Sequence, residues 1–376
     1  MKPLYLDNAA TTRVYPGVIK SMLPYLKNEY GNPSSMHELG ERAKKALNRA
    51  RTELAKEINA NPSEIIFTSG ATESNNLAIQ GLARRYPNKK TIIISQLEHP
   101  SVSQVCKFLQ ALNYTIIEIP VNEEGLIDLN ILEKKIKENQ KNILLVSIIH
   151  VNNIIGVVQD IHTIGGFCKK HSVLFHTDAV QSFGKLKIDV KKDNIDLLSA
   201  SGHKIGAPKG IGFLYSKESV NLSPLVLGGG QERNLRSGTE NLPSVVAFTK
   251  ALEITKKINK NKILDIRNKI ISELKNIGGI INGPLEKRIY NNIHVSFPPT
   301  DAEYLVVSLS RKGIYLSAGS ACDSKKEKED HVLKAIKVNS ELTKSSIRIT
   351  LNESINEKDI GRIVNEINKV VKILRV

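Results

Sequence analysis

Between residues 60 and 220 the chain alternates short apolar runs with longer stretches that read as helices. The runs at 64–68, 91–95, 114–118, 143–149, 173–177, 195–200 and 210–215 are dominated by Ile, Val, Leu, Phe and Thr. Continuous apolar runs of this length suit strands buried on both faces. Segments 73–85, 101–112 and 161–171 lie between them and read as helices. Strand and helix in turn predict an α/β fold, a mainly parallel sheet covered by helices.

A helix is predicted over 37–59, ahead of the sheet, with Ser35 and Glu38 forming a capping box. After Gly228-Gly229-Gly230 the texture changes, and a lysine-rich helix is predicted over 243–277. Then follow a strand (292–297), a helix (301–310), a second short strand, a charged stretch (325–330), a strand (346–351) and a closing helix (356–374). This divides the chain into a large domain over 15–255 and a smaller α+β domain built from 1–14 and 256–376.

Composition narrows the class. With 376 residues, 40% of them apolar and 24% charged, the chain can build a sizeable core and is not disordered. Its longest apolar run, 143–151, falls well short of the roughly 20 residues of a membrane span. The first residues hold no apolar signal region, and Cys106, Cys168 and Cys322 offer neither a disulfide framework nor metal-ligand spacing, so a cytoplasmic location is expected. The formal charge is +16, but the lysines are spread along the chain and do not alternate with aromatics. Weak attraction for acidic partners is therefore expected, and no specific nucleic-acid partner. His37, His162, His171 and His331 read as surface helix residues without metal-binding spacing, so no metal site is expected. Cys106 and Cys168 fall on apolar helical faces and read as small buried hydrophobes.

Three segments carry candidate chemistry. Thr68 to Asn76 ends a strand, turns at Gly70 and starts a helix. Free backbone N–H groups and the helix dipole favour an anion there, and Thr72 adds a hydroxyl. Asp178 stands at the carboxyl end of a buried strand, where a carboxylate either caps a helix or meets a cation. Lys204 follows an apolar strand and sits among small residues, a setting expected to lower its pKa and free the amine for Schiff-base formation. Singly, the helix start is as often structural as functional, and the acid and the lysine are more often structural. Together they meet the needs of pyridoxal 5′-phosphate: an anchor for the phosphate, an acid that keeps the ring nitrogen protonated, and an amine that holds the aldehyde.

The motifs Tyr5 to Thr12, Gly31 to Ser35, Thr68 to Asn76, Glu98-His99, His150 to Asn153, Asp178 to Gln181, Ser201 to Lys204, Arg236 to Asn241 and Ser320 to Cys322 extend this match. Over almost its full length the chain resembles the cysteine desulfurases of the class V aminotransferase family. The resemblance implies the pyridoxal-phosphate transferase fold of type I. It also implies conversion of L-cysteine to L-alanine with a persulfide on Cys322, for iron–sulfur cluster assembly or tRNA thiolation. Lys204 would carry the Schiff base and move the substrate α-proton, Asp178 would pair with the ring nitrogen, and His99 would stack on the ring. Gln181 and Asn153 would reach the ring hydroxyl and the substrate, and Ala71, Thr72, Ser201 and His203 would bind the phosphate. Thr239 would reach the phosphate of a neighbouring subunit, which implies a homodimer. Arg348 would fork onto the substrate carboxylate.

Cys322 lies in a run of small residues, 316–324, followed by the charged stretch, which predicts an exposed segment able to move. Its thiolate would take the substrate sulfur and pass it to an acceptor protein such as an iron–sulfur scaffold or a tRNA-thiolation enzyme. A transient iron–sulfur contact through Cys322 is the only metal contact this implies. Ile154 and Asp323 depart from the residues common in the family, glutamate and serine. The rival readings are a selenocysteine lyase or an aminotransferase on the same scaffold, a non-catalytic sulfur-carrier or scaffold subunit, and a basic RNA-binding protein.

Overall fold

The computed structural model describes residues 2–319 and 330–375. The chain opens with a short strand, β1 (Leu4–Tyr5), and two helices, α1 (Pro16–Lys27) and α2 (Glu38–Glu57). The helix predicted over 37–59 is there, but Ser35 does not cap it. His37 is the N-cap, its side chain accepting from Gly40 N at 3.2 Å.

The strand–helix alternation follows: β2 (Ile65–Thr68), α3 (Ala71–Arg85), β3 (Thr91–Ser95), α4 (Pro100–Gln110), β4 (Thr115–Ile119), α5 (Leu129–Asn139), β5 (Ile143–Ser147), α6 (Ile161–Lys170), β6 (Phe175–Asp178), β7 (Leu197–Ser201) and β8 (Gly212–Ser216). They form one sheet in the order β2-β8-β7-β6-β5-β3-β4. Every pairing is parallel except those of β8, which runs antiparallel to both β2 and β7. The link 202–211 between β7 and β8 is too short for a crossover helix, so the chain must turn back on itself. All seven apolar runs become strands, although β4 is an edge strand with Thr115 and Glu118 exposed. Apolar side chains bury against both faces of the sheet. Leu54, Phe175 and Phe248 belong to one cluster, and Leu77, Ile92 and Leu214 to the other. Cys106 and Cys168 are both buried.

The lysine-rich helix predicted over 243–277 is two helices, α7 (Leu242–Lys256) and α8 (Lys260–Asn276). Asn259 breaks it by capping α8, its side chain accepting from Lys262 N at 3.0 Å. The second half contains β9 (Ile280–Ile281), β10 (Asn292–Ser296), α9 (Ala302–Arg311), β11 (Ile314–Tyr315), β12 (Ser317–Ala318), α10 (His331–Ala335), α11 (Ser340–Lys344), β13 (Ser346–Thr350) and α12 (Glu357–Leu374). Its sheet, ordered β12-β13-β10-β9, packs with α8, α9 and α12 around a core of its own.

The N-terminal segment joins the two halves. β1 pairs in parallel with β11, and Thr350 N donates to Leu6 O at 2.6 Å. Six residues on, Thr12 N donates to His203 O at 2.9 Å. Residues 7–10 are thereby strung between β13, which bears Arg348, and the turn that bears Lys204. No helix among the described residues is long and apolar enough to cross a membrane.

Candidate active site

The carboxyl ends of β2, β6 and β7 and the segments after β3 and β5 converge on a cavity of about 560 Å³. This is where open α/β sheets bind ligands. Gly70 and the first residues of α3 form one wall. There α3 presents the unpaired N–H groups of its first turn. Gly212 allows the close packing beneath, because a Cβ there would lie 2.5 Å from Ala200 O and 2.7 Å from Gly70 Cα. Ser201 and His203 face the same cavity from β7 and the turn after it. His203 Nδ1 lies 3.1 Å from Thr11 Oγ1. Burial and the nearby cations Lys204, Lys209 and Lys185 push the His203 imidazole down to about 4, so it is neutral at pH 7.

Asp178 ends β6 and is 3% exposed. Its Oδ1 accepts from Val180 N at 3.0 Å and its Oδ2 from Asn75 Nδ2 at 2.8 Å. Asn75 Nδ2 also lies 2.8 Å from Ser101 Oγ, which in turn lies 2.8 Å from His99 Nδ1. His99 caps α4, its Nδ1 accepting from Ser101 N at 3.1 Å. The neutral ring therefore carries its proton on Nε2. Burial holds the His99 pKa below the ordinary histidine range, with Asp178 opposing that shift and Lys204 and His331 adding to it.

Lys204 Nζ reaches into the cavity and donates to Ala9 O and Ala10 O, both at 2.7 Å. Gln181 Nε2 donates to the same Ala9 O at 2.9 Å. Arg348 lines the opposite wall and is 2% exposed. Its guanidinium donates to Asp7 Oδ1 at 2.8 Å, to Asn153 O at 3.2 Å and to Ser317 Oγ at 3.2 Å. Among the described residues its buried Nε has no hydrogen-bond partner.

Of the residues singled out from the sequence, Ala71, Thr72, His99, Asn153, Asp178, Gln181, Ser201, His203, Lys204 and Arg348 all line this cavity. Thr239 does not, and is exposed on the isolated chain. Cys322 and Asp323 lie outside the described residues. Ile154 is buried beside the cavity loop, its N–H donating to Asn152 Oδ1 at 2.9 Å. His331 is exposed, as the sequence suggests, yet its Nε2 donates to Glu98 O at 3.1 Å beside the site. Among the described residues no group of three or more His, Cys, Asp or Glu could hold a metal ion.

Sequence reasoning did not single out Asn75, Ser101 or Asp7. Asn75 and Asp7 lie inside motif segments, but only the folded chain shows which partner each meets. In the sequence Glu98 stands out only as His99's neighbour. It is 1% exposed, and its Oε1 accepts from Ser95 Oγ at 2.6 Å and Ile149 N at 2.8 Å, while Oε2 has no partner among the described residues. Burial drives its carboxyl up to about 8.

A helix start suited to an anion, a buried acid at a strand end and a lysine at the next strand end define a site of the pyridoxal-phosphate transferase type. The chain belongs to the family described as Aminotransferase class-V, which matches residues 4–363. It is 41% identical to the cysteine desulfurase IscS of Methanosarcina thermophila, covering all of this chain and 93% of that one. It is 40% identical to the cysteine desulfurase IscS of Dictyoglomus turgidum, covering all of this chain and 96% of that one. Among solved structures, a NifS-like protein superposes with a TM-score of 0.93 at 35% identity, covering 99% of this chain and all of the other. The structure of SspA in complex with cysteine superposes with a TM-score of 0.85 at 38% identity, covering 93% and 99%.

Proposed function

We propose that the chain is a pyridoxal-phosphate-dependent cysteine desulfurase that converts L-cysteine to L-alanine and retains the sulfur on Cys322 as a persulfide. The observation that carries this reading is the convergence of Lys204, Asp178, His99, Arg348 and the start of α3 on one cavity. The cysteine desulfurases it resembles, and the cysteine-bound structure it superposes on, support the substrate.

The residues present fit the cofactor. The first-turn amides of α3, with Ser201, neutral His203 and Thr72, suit its phosphate, Asp178 its ring nitrogen, and Lys204 its aldehyde. When bound, pyridoxal phosphate supplies a ring that accepts electrons from the substrate α-carbon. Asp178, fixed by Asn75 and Val180, holds a proton at the ring nitrogen. Lys204 Nζ would hold the aldehyde when the cofactor is bound, and its amine would move the substrate α-proton. His99, a neutral imidazole with Nε2 protonated, would lie against the ring. Arg348 orients the substrate carboxylate, with Asp7 and Ser317 fixing the guanidinium plane. Cys322 Sγ, as thiolate, attacks the substrate sulfur. A sulfur–sulfur bond forms, the carbon–sulfur bond breaks, and its electron pair stays with the three-carbon fragment, which takes up a proton at that carbon, regains its α-proton and leaves as alanine.

We place the cofactor in a large domain over 15–255 and Cys322 in a smaller one over 1–14 and 256–376. The protein works as a cytoplasmic homodimer in which Thr239 completes the neighbouring site. The persulfide passes to an acceptor protein, either an iron–sulfur scaffold or a tRNA-thiolation enzyme.

The test is to incubate purified protein with L-cysteine and a reductant and to measure alanine and sulfide. Cys322→Ala is expected to lose activity by about a hundredfold or more while keeping the cofactor's yellow absorption. Turnover at the wild-type rate would show that no persulfide forms there.

A further inference from the structure

Lys185 sits on the turn after β6, four residues beyond Gln181, and is only 6% exposed. Among the described residues it forms no ion pair. Its Nζ donates to Gln181 Oε1 at 3.3 Å. The charged groups that face it, Lys204 and Lys260, are both cations. Lys260 itself is tied to this turn, its Nζ donating to Lys185 O at 2.6 Å. Burial and these two neighbours push the Lys185 ammonium down to about 7. A buried amine without a carboxylate is costly, so its place in the fold calls for a local role.

The Gln181 amide supplies that role. Its Oε1 accepts from Lys185 and its Nε2 gives one hydrogen to Ala9 O at 2.9 Å, the carbonyl that also accepts from Lys204. A flipped amide would set its NH2 against the ammonium and its oxygen against the Ala9 carbonyl. The contact of oxygen with the Ala9 carbonyl is repulsive whatever the charge on Lys185, and that with the ammonium is repulsive whenever Lys185 is charged, so one orientation is favoured. The amide keeps a second N–H, and Gln181 lines the cavity.

We propose that Lys185 is a positioning residue that locks the Gln181 amide as a hydrogen-bond donor to an oxygen of the bound cofactor ring. This rests on the pyridoxal-phosphate reading above. Lys185 touches neither cofactor nor substrate; it acts through Gln181.

The experiment measures the dissociation constant of pyridoxal phosphate, by absorbance titration of the full-length apoprotein. The variants are Lys185→Met, Lys185→Arg, Gln181→Leu, Gln181→Glu and the Lys185→Met/Gln181→Leu pair. Lys185→Met and Gln181→Leu should each weaken binding about tenfold, and Lys185→Arg, which keeps a donor, should stay within about threefold of wild type. In the pair the losses should not multiply, because Lys185 has nothing left to orient. Gln181→Glu keeps a partner for Lys185 but loses the donor, so it should remain folded by thermal melting and bind as weakly as Gln181→Leu. Multiplied losses in the pair, or wild-type binding by Gln181→Glu, overturn this inference alone. Absence of cofactor uptake by the wild-type chain overturns the cofactor reading and this inference with it.

Discussion

His99 reaches Asp178 through two neutral side chains, Ser101 and Asn75, so the residue proposed to cover the ring and the one proposed at its nitrogen share one hydrogen-bonded chain. Beside them Glu98 is sealed in with one unpartnered oxygen and a carboxyl pKa of about 8. Its ordinary value is 4.5, so between the two the folded chain keeps a proton that the unfolded chain releases. Glu98 therefore costs stability progressively as pH rises from about 4.5, and the loss levels off above about 8. Glu98→Gln removes this dependence. Calorimetric melting of the apoprotein should show the variant gaining on wild type between about pH 5 and about pH 8.5, and a constant difference would contradict the burial account.

At the scale of elements, the segment between β8 and α7 is held by charge. Glu232, Arg233 and Asn234 take φ values of 46°, 59° and 64°, a left-handed turn that non-glycine residues resist. Glu232 offsets the strain. Both its oxygens accept from the Arg51 guanidinium at 2.7 Å, and Oε2 also accepts from Phe67 N at 2.9 Å. Arg236, farther along, donates to Glu73 Oε1 at 2.8 Å in the first turn of α3. The segment that carries Thr239 is thus pinned to the strand and helix that shape the proposed phosphate site. Glu232→Ala leaves Arg51 nearly buried and unpaired, and is expected to cost about 3–5 kcal/mol in denaturant unfolding. A loss well under 1 kcal/mol would show that the pair does not hold the segment.

The elements also show what the sequence could tell. The apolar runs announced the sheet, and the Gly70, Asp178 and Lys204 motifs announced the cavity, because strand ends and glycine turns leave local marks. The antiparallel β8 followed from the length of a link, and the α7–α8 break from one asparagine cap, both weak signals inside a strong periodicity. Asp7 meets Arg348, and Asn75 meets Asp178, across gaps of 341 and 103 residues, which no local pattern records.

For the whole molecule, the N-terminal segment ties the two sheets together at the cavity, with Asp7 bonded to Arg348 on one side and Ala9 and Ala10 to Lys204 on the other. Thr239, exposed on the single chain, is the residue expected to act across a dimer. Thr239→Val should weaken cofactor binding about tenfold in the homodimer. Mixed dimers of Thr239→Val with Lys204→Ala should recover about half the wild-type activity, since one of the two symmetry-related sites is then complete. Recovery of none would place Thr239 in its own subunit's site, and unchanged cofactor binding by the Thr239→Val homodimer would place it outside both. The most direct test of the whole account is borohydride reduction of the holoprotein followed by peptide mass mapping. A pyridoxyl group is expected on the peptide bearing Lys204 and on no other, and a label on a different lysine, or none, would contradict the account.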